Sequence, residues 1–338
     1  MSSPHLGRIT IAEVARRAGV SISTVSRVMN GLDRVHPETR QRVRGVIEAL
    51  RYQPSAYARG LATQRTHTIG FVIPTISDPF YLGIVRGVEA AAAAEGYNLL
   101  VVSQLGRMDQ TRVLELFTQK RVDGLVVVGV AVPPEVLVQL REQGFPVALL
   151  QQQREPSTFA VDNYGGARLM TEHLLSLGHR QIAYIAGSND TPDNAERFRG
   201  FREALECAGL SFNTARFVQG DFLEGSGAEA VATLQDRRLP CDAIFAANDQ
   251  MAIDAILALR EGGVRVPDDI AVVGFDDIPL ARYVAPPLTT VRQPSFELGL
   301  KATRAVLAAL RGDVLPEGVV LPAELVVRGS CGAGLTVG

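Results

Sequence analysis

The chain has 338 residues, 46% of them hydrophobic, and its 34 Lys and Arg against 36 Asp and Glu leave a net charge of −2. That length suffices for a small head and a large two-lobed body; no apolar run reaches membrane-spanning length and no charged-then-apolar leader precedes the first helix, so a cytoplasmic protein with no membrane partner is expected. Cys207, Cys241 and Cys331 are few, odd in number and far apart, which argues against a disulfide framework or a clustered zinc site, and the five histidines show no ligand spacing. The charge is unevenly spread: residues 1–63 hold ten arginines against Glu13, Asp33, Glu38 and Glu48, a surplus of six, so residues 64–338 carry −8. A basic head on an acidic body is the asymmetry expected when only the head meets phosphate.

The first predicted helix opens at Thr10, which with Glu13 forms a Thr-x-x-Glu capping box, and buries Ile11, Val14, Ala15 and Ala18 at helical spacing. Gly19 closes it, and Ser21 can cap a second helix two residues later, so the two must cross steeply. In the second helix Val25, Val28 and Met29 fall on one side, while Ile22, Ser23, Ser26, Arg27 and Asn30 make a polar face with one guanidinium, the build of a recognition helix. The third helix starts at Pro37, where a missing amide hydrogen costs nothing, and buries Val43, Val46, Ile47 and Leu50. Residues 9–63 thus read as an all-α helix-turn-helix DNA-binding head followed by a short hinge.

The motif VSISTVSRVMN closes the argument for the head, which resembles that of the lactose-repressor (LacI/GalR) family of bacterial transcription regulators, and the similarity extends over essentially the whole chain. The resemblance implies that Ile22 and Ser23 discriminate bases and that Arg27 meets a guanine edge. It places Ser21, Ser26, Asn30, Arg34, His36 and Tyr52 at positions that mostly anchor the backbone, with Thr10 at the start of the first helix also assigned to the DNA surface. After the third helix, Pro54 begins a short candidate helix ending near Ala62, too short to be stable alone in water, and Leu61 has no obvious intramolecular core to join. By the resemblance this hinge folds when two copies meet on DNA; Arg59 and Leu61 match its pattern, and Leu61 wedges into the minor groove.

From residue 68 short apolar runs alternate with longer periodic stretches. THTIGFVIP, YNLLVVSQ, VDGLVVVG and FPVALL are interleaved with helices over 79–95, 109–120 and 134–143. RQIAYIAG, ARFVQG, CDAIFAAN and IAVVGF follow, with helices near 163–178, 193–209, 224–237 and 248–262, and a last long helix and closing strands end the chain. Uninterrupted Val/Ile/Leu runs are strands buried on both faces, so two doubly wound parallel sheets, and hence an α/β two-lobed body, are expected. The resemblance makes this body periplasmic-binding-protein-like, with crossings near 162, 292 and 321. The expected division is then 1–53 for the head, 54–65 for hinge and linker, and 66–338 for effector binding and dimerisation. Within the body, one lobe takes about 66–161 and 293–320, the other about 162–292 and 321–338.

Ligands of doubly wound sheets sit beyond the carboxyl ends of strands. The candidates there are Asp78, Phe80 and Tyr81 after the first strand, then Arg197, Asp221 with Phe222, Asn248 with Asp249, Asp276 with Asp277, and Gln293. Carboxylates and amides pair with hydroxyls, and rings cover apolar sugar faces, so a sugar or sugar derivative is the expected effector, with a nucleoside or purine the alternative. By the resemblance Arg197, Asn248 and Asp276 match effector contacts and Phe222 an aromatic platform, with Gln151 where the family often places a polar ligand group. Asp249 and Asp277 are read as caps of the following segments.

Gly225, Gly227 and Ala230 formally fit the dinucleotide fingerprint of an NAD-dependent oxidoreductase, but they follow DFLE rather than a buried strand and read as a helix start. No nucleophile elbow, zinc-binding H-E-x-x-H or phosphate-cradling glycine loop is present, so no enzyme, cofactor or metal is expected. The resemblance instead implies a homodimeric repressor on a pseudo-palindromic double-stranded operator, switched by a small molecule either as inducer or as corepressor. The tail RGSCGAGLTVG lacks a leucine heptad, so dimers rather than tetramers are expected, which sedimentation would check.

Overall fold

The computed structural model describes residues 9–29, 31, 35–52, 65–103, 110–151, 157–189, 191–238 and 240–333. The chain divides into two compact units, Met1–Thr66 and His67–Gly338.

In the first unit α1 (Ile11–Ala18), α2 (Ile22–Met29) and α3 (Pro37–Ala49) enclose a small core of Val14, Ala15, Ala18, Val25, Val28, Val43 and Tyr52. Val46, Ile47 and Leu50 are only partly buried against it. Thr10 caps α1 by accepting the Glu13 amide at 3.4 Å, and Gly19 ends it at φ 63°, a left-handed conformation that glycine adopts without steric cost. The capping box is only half formed among the bonds present: the Glu13 carboxylate is held by Arg16 (2.6 Å) and Arg17 (2.8 Å) one turn on. Those two arginine hydrogen bonds lower the Glu13 carboxyl to about 2. Ser21 Oγ accepts the Thr24 amide at 3.2 Å, as a cap for α2 should.

The second unit contains the two expected parallel sheets. The first runs β11-β5-β4-β3-β1-β2, with β1 (Thr68–Ile73), β2 (Asn98–Ser103), β3 (Gly124–Val128), β4 (Val147–Leu150), β5 (Thr158–Val161) and β11 (Val319–Leu321). The second runs β7-β6-β8-β9, with β6 (Ile182–Ala186), β7 (Phe217–Gln219), β8 (Ala243–Ala246) and β9 (Ala271–Val273). Every residue of β3, β4, β6, β8 and β9 is buried, which is why these strands read as unbroken apolar runs. The edge strand β2 is only partly buried.

The helices are α4 (Phe80–Ala94), α5 (Gln110–Thr118), α6 (Pro134–Glu142), α7 (Asn163–Ser176), α8 (Pro192–Cys207), α9 (Ser226–Asp236), α10 (Asp249–Glu261) and α11 (Ser295–Ala309). Gly225 is the N-cap of α9, so the dinucleotide-like glycines start a helix that follows a loop. Two features concern short strands, of which only the first was not legible in the sequence. TFAV forms β5, and the closing segment VVLPAELVV splits between sheets: β11 extends the first sheet beside β5, while β12 (Glu324–Val326) pairs antiparallel with β10 (Thr290–Arg292) in a separate two-stranded ribbon. The chain therefore leaves the first sheet after Val161, comes back to its side of the body by way of β10, adds β11 to that sheet, and leaves again through β12. Among the described residues no helix is long and apolar enough to cross a membrane.

Candidate functional site

On the head, the face of α2 opposite Val25 and Val28 presents Ile22, Ser23 and Arg27 to solvent, and Ser21 is exposed at its start. Ile22 is 49% exposed. Ser21 Oγ bonds the hydroxyls of Ser23 (2.8 Å) and Thr24 (2.9 Å), which orders the start of the helix. Ser26 is half-buried, while Thr10 and His36 are exposed at the starts of α1 and α3. Tyr52 is 8% exposed and packs in the head core. Asn30, Arg34, Arg59, Leu61 and the hinge over 54–64 lie outside the described residues.

In the body a cleft of about 310 Å³ opens where strands of both sheets end. Its lining follows β1 (Asp78, Phe80, Tyr81), β4 (Gln151), β6 (Ser188, Thr191, Asp193, Arg197), β7 (Asp221, Phe222), β8 (Asn248) and β9 (Asp276). Nine of the ten effector-site candidates read from the sequence, Asp221 among them, meet there. Gln293 does not line the cleft; it is 3% exposed and its Nε2 donates to Asp276 Oδ1 at 2.5 Å from behind.

Arg197 organises the floor. Its Nε donates to Asn163 Oδ1 at 2.7 Å, its Nη1 donates to the Ala247 carbonyl at 2.5 Å and lies 3.4 Å from Asp276 Oδ1, and its guanidinium stacks 4.0 Å from the Phe275 ring centre and 5.8 Å from that of Phe222. Phe222 stands at φ 73° and its ring rests on Gly187, where an added Cβ would sit 1.9 Å from Cζ; any other residue there would displace the ring. Gln151 (φ 61°) and Asp276 (φ 124°) also occupy the left-handed half of the map, so three of the lining residues hold conformations that cost about 1–3 kcal/mol each and need enforcement by surrounding structure.

Asn248, Asp249 and Asp277 divide their roles otherwise than the sequence suggested. Asn248 is the cap of α10, accepting the Met251 amide at 3.0 Å, and donates from Nδ2 to the Phe222 carbonyl at 3.0 Å, so it holds the platform loop as well as facing the cleft. Asp249 is no cap: fully buried, it accepts the Ile278 amide at 2.9 Å and the Thr290 hydroxyl, tying α10 to the crossing strand β10. Asp277 is no cap either. It accepts from Arg328 (2.5 Å) and Arg292 (2.8 Å), with Arg282 at 3.7 Å, so one carboxylate clasps both ends of the β10–β12 ribbon. Tertiary burial made these groups partners across the fold, which local spacing does not reveal.

Sequence reasoning also missed Asp193, in the first turn of α8, 6% exposed and in the cleft wall. Burial raises its carboxyl to about 6, that of Asp249 to about 7, and those of Asp276 and Asp78 above the usual 3.8. An acid whose folded pKa is raised contributes stability that is complete below the unfolded value and is lost as pH rises through the folded one. The body should therefore be more stable near pH 5.5 than at pH 8, by on the order of a few kcal/mol, and Asp249→Asn should flatten that slope; equal urea midpoints at the two pH values would contradict the burial of these groups as acids.

The geometry is that of a helical DNA-reading head linked in sequence to a two-sheet body with a polar, ring-flanked cleft. Residues 10–55 match the model for bacterial regulatory proteins of the lacI family, and residues 171–331 match that for a periplasmic binding protein-like domain. The chain is 38% identical to the HTH-type transcriptional regulator DegA of Bacillus subtilis (strain 168) over 96% of this chain and 98% of that protein. Among solved structures it is similar to a transcriptional regulator CelR–cellobiose complex (35% identity, TM-score 0.73, 96% of this chain and 100% of that one). It is also similar to the lac repressor dimer bound to operator and the anti-inducer ONPF (29%, TM-score 0.85, 96% and 99%). The chain belongs to the LacI family of DNA-binding transcriptional regulators.

Proposed function

We propose that this regulator is a repressor that binds a pseudo-palindromic operator as a homodimer in the cytoplasm, and that a sugar or sugar derivative held in the body cleft controls its hold on DNA. The observation that carries the effector part is the convergence of Arg197, Asn248, Asp276, Phe222, Phe80 and Tyr81 on one cleft. Paired acceptors and donors beside aromatic rings suit a polyhydroxylated ring, which offers hydroxyls at its edge and C–H groups on its face. Cellobiose in the CelR complex supports the sugar reading, and the operator-bound lac repressor dimer supports the mode of DNA binding. On the head, Ile22, Ser23 and Arg27 supply base readout, and the hydroxyl-bearing start of α2 supplies phosphate anchors.

A ligand that binds only the folded body raises its melting temperature by mass action. Thermal-shift measurements against sugars, nucleosides and purines should show stabilisation by a sugar; stabilisation confined to purines or nucleosides would move the effector class to that alternative. Sedimentation should give a mass of two chains, and a monomer at concentrations that bind operator would contradict the two-fold mode of reading.

A further inference from the structure

We propose that the body cleft selects its ligand by charge, accepting a polyhydroxylated molecule that is uncharged or carries an amine and rejecting its phosphorylated or carboxylated counterparts, with Asp193 as the deciding residue. The inference rests on the reading of the cleft as an effector site and narrows the class of effector.

Among the described residues the cleft wall holds four carboxylates, Asp78, Asp193, Asp221 and Asp276, against one guanidinium, Arg197. That guanidinium is partly committed: Nε to Asn163, and Nη1 to the Ala247 carbonyl and Asp276, so its single positive charge already faces one of the four carboxylates, while Nη2 keeps its donors for a neutral ligand's hydroxyls. Asn248, the other strong donor, spends one amide hydrogen on the Phe222 carbonyl and its oxygen on the Met251 amide. On the acceptor side the account is different. Asp78 gives one oxygen to the Phe80 amide and Asp221 one to the Leu223 amide, leaving the second oxygen of each without a hydrogen bond among the described residues. Asp193 is more than nine-tenths buried, lines the cleft, and has neither a hydrogen bond nor an ion pair for its carboxylate among the described residues.

A buried polar group left without a partner is costly, and a buried charge more so. A ligand that donates to Asp193 relieves that cost, as the hydroxyls of a neutral sugar or an ammonium group can. A carboxylate offers no proton at neutral pH and a phosphate few, and either meets, among the described residues, a wall in which carboxylates outnumber the guanidinium and one of them already faces it. Burial of Asp193 sharpens the discrimination, because like-charge repulsion is screened least where water is excluded.

The test is calorimetry on the full-length protein with matched sets: glucose, glucosamine, glucose 6-phosphate and glucuronate; cellobiose and cellobionate; adenosine and its 5′-monophosphate. In a set whose uncharged member binds, the anion should bind at least tenfold more weakly, and Asp193→Asn should narrow that ratio at least fivefold. Glu206→Gln, on the same helix but remote from the cleft wall, should leave the ratio unchanged. Should Asp193→Asn fail to fold, Asp193→Ser serves with the same expectation. An anion binding as tightly as its parent, or a ratio unmoved by the Asp193 variants, overturns charge selection while leaving the effector cleft intact. Absence of binding by every member of every set overturns the effector reading and this inference with it.

Discussion

Replacing Arg27 with alanine should weaken operator binding about 10- to 100-fold at fixed salt, while leaving ligand binding by the body unchanged. Arg27 is exposed on the face of α2 opposite its buried Val25 and Val28, so its removal leaves the head core intact. A guanidinium that forks onto guanine contributes about 1–3 kcal/mol of discrimination. The loss should concentrate on one base pair per half-site, whereas replacing Arg16 or Arg17, both held by Glu13, should change affinity by the same factor on every sequence. Anisotropy titrations on the operator and on single-base variants check both statements, and an Arg27→Ala protein with undiminished affinity would remove Arg27 from the reading surface.

Replacing Asp276 with alanine should abolish the response to ligand and spare operator binding. Asp276 lies at the end of the β9 loop, joined by a backbone bridge to Arg292 of β10, and its carboxylate is met by Arg197 and Gln293. Truncating a buried, hydrogen-bonded charge costs about 2–5 kcal/mol of binding, partly because its partner is stranded. Here the stranded group is Arg197, itself in the cleft wall. Asp276→Asn, of the same shape, separates loss of recognition from loss of folding: it should melt close to the parent protein yet bind ligand at least tenfold more weakly. A normal ligand response in both variants would take Asp276 out of the site.

The position of Asp276 suggests how ligand binding reaches the rest of the body. The adjacent Asp277 clasps Arg292 and Arg328, which flank the β10–β12 ribbon through which the chain passes between the sheets. Asp249 ties the start of α10 to the same ribbon through Thr290. A ligand that pulls on Asp276 therefore acts beside the segments whose geometry sets how the two sheets stand to each other, a place where hinge motion in two-lobed proteins is absorbed.

Much of this was legible in the sequence because it follows from local rules. Unbroken apolar runs mark β1, β3, β4, β6 and β8, since a strand covered on both faces has no polar side to show. The cleft residues after these strands follow from the topology of any doubly wound sheet. What was missed depends on tertiary context. Asp193 sits in PDNAER, where an acidic residue in a first helical turn is ordinary; only the packing of α8 shows it to be buried and unpartnered. The roles of Asp249 and Asp277 were misread because their partners, Ile278, Thr290, Arg292 and Arg328, are 15 to 51 positions away. The four-residue strand β5 and the three-residue strand β11 are too short to show a period, and their place is fixed by pairing with each other.

The proposed regulator couples DNA binding by its head to ligand binding by its body in one molecule. The most direct measurement selects duplexes from a random library with the full-length protein, then measures the operator affinity with and without the stabilising ligand and the ligand affinity with and without operator. Coupling requires enrichment of a two-fold-symmetric site bound by two chains, and the same factor in both affinity ratios, because linkage between two sites is reciprocal. No enriched sequence, or a ligand affinity indifferent to operator, would contradict it.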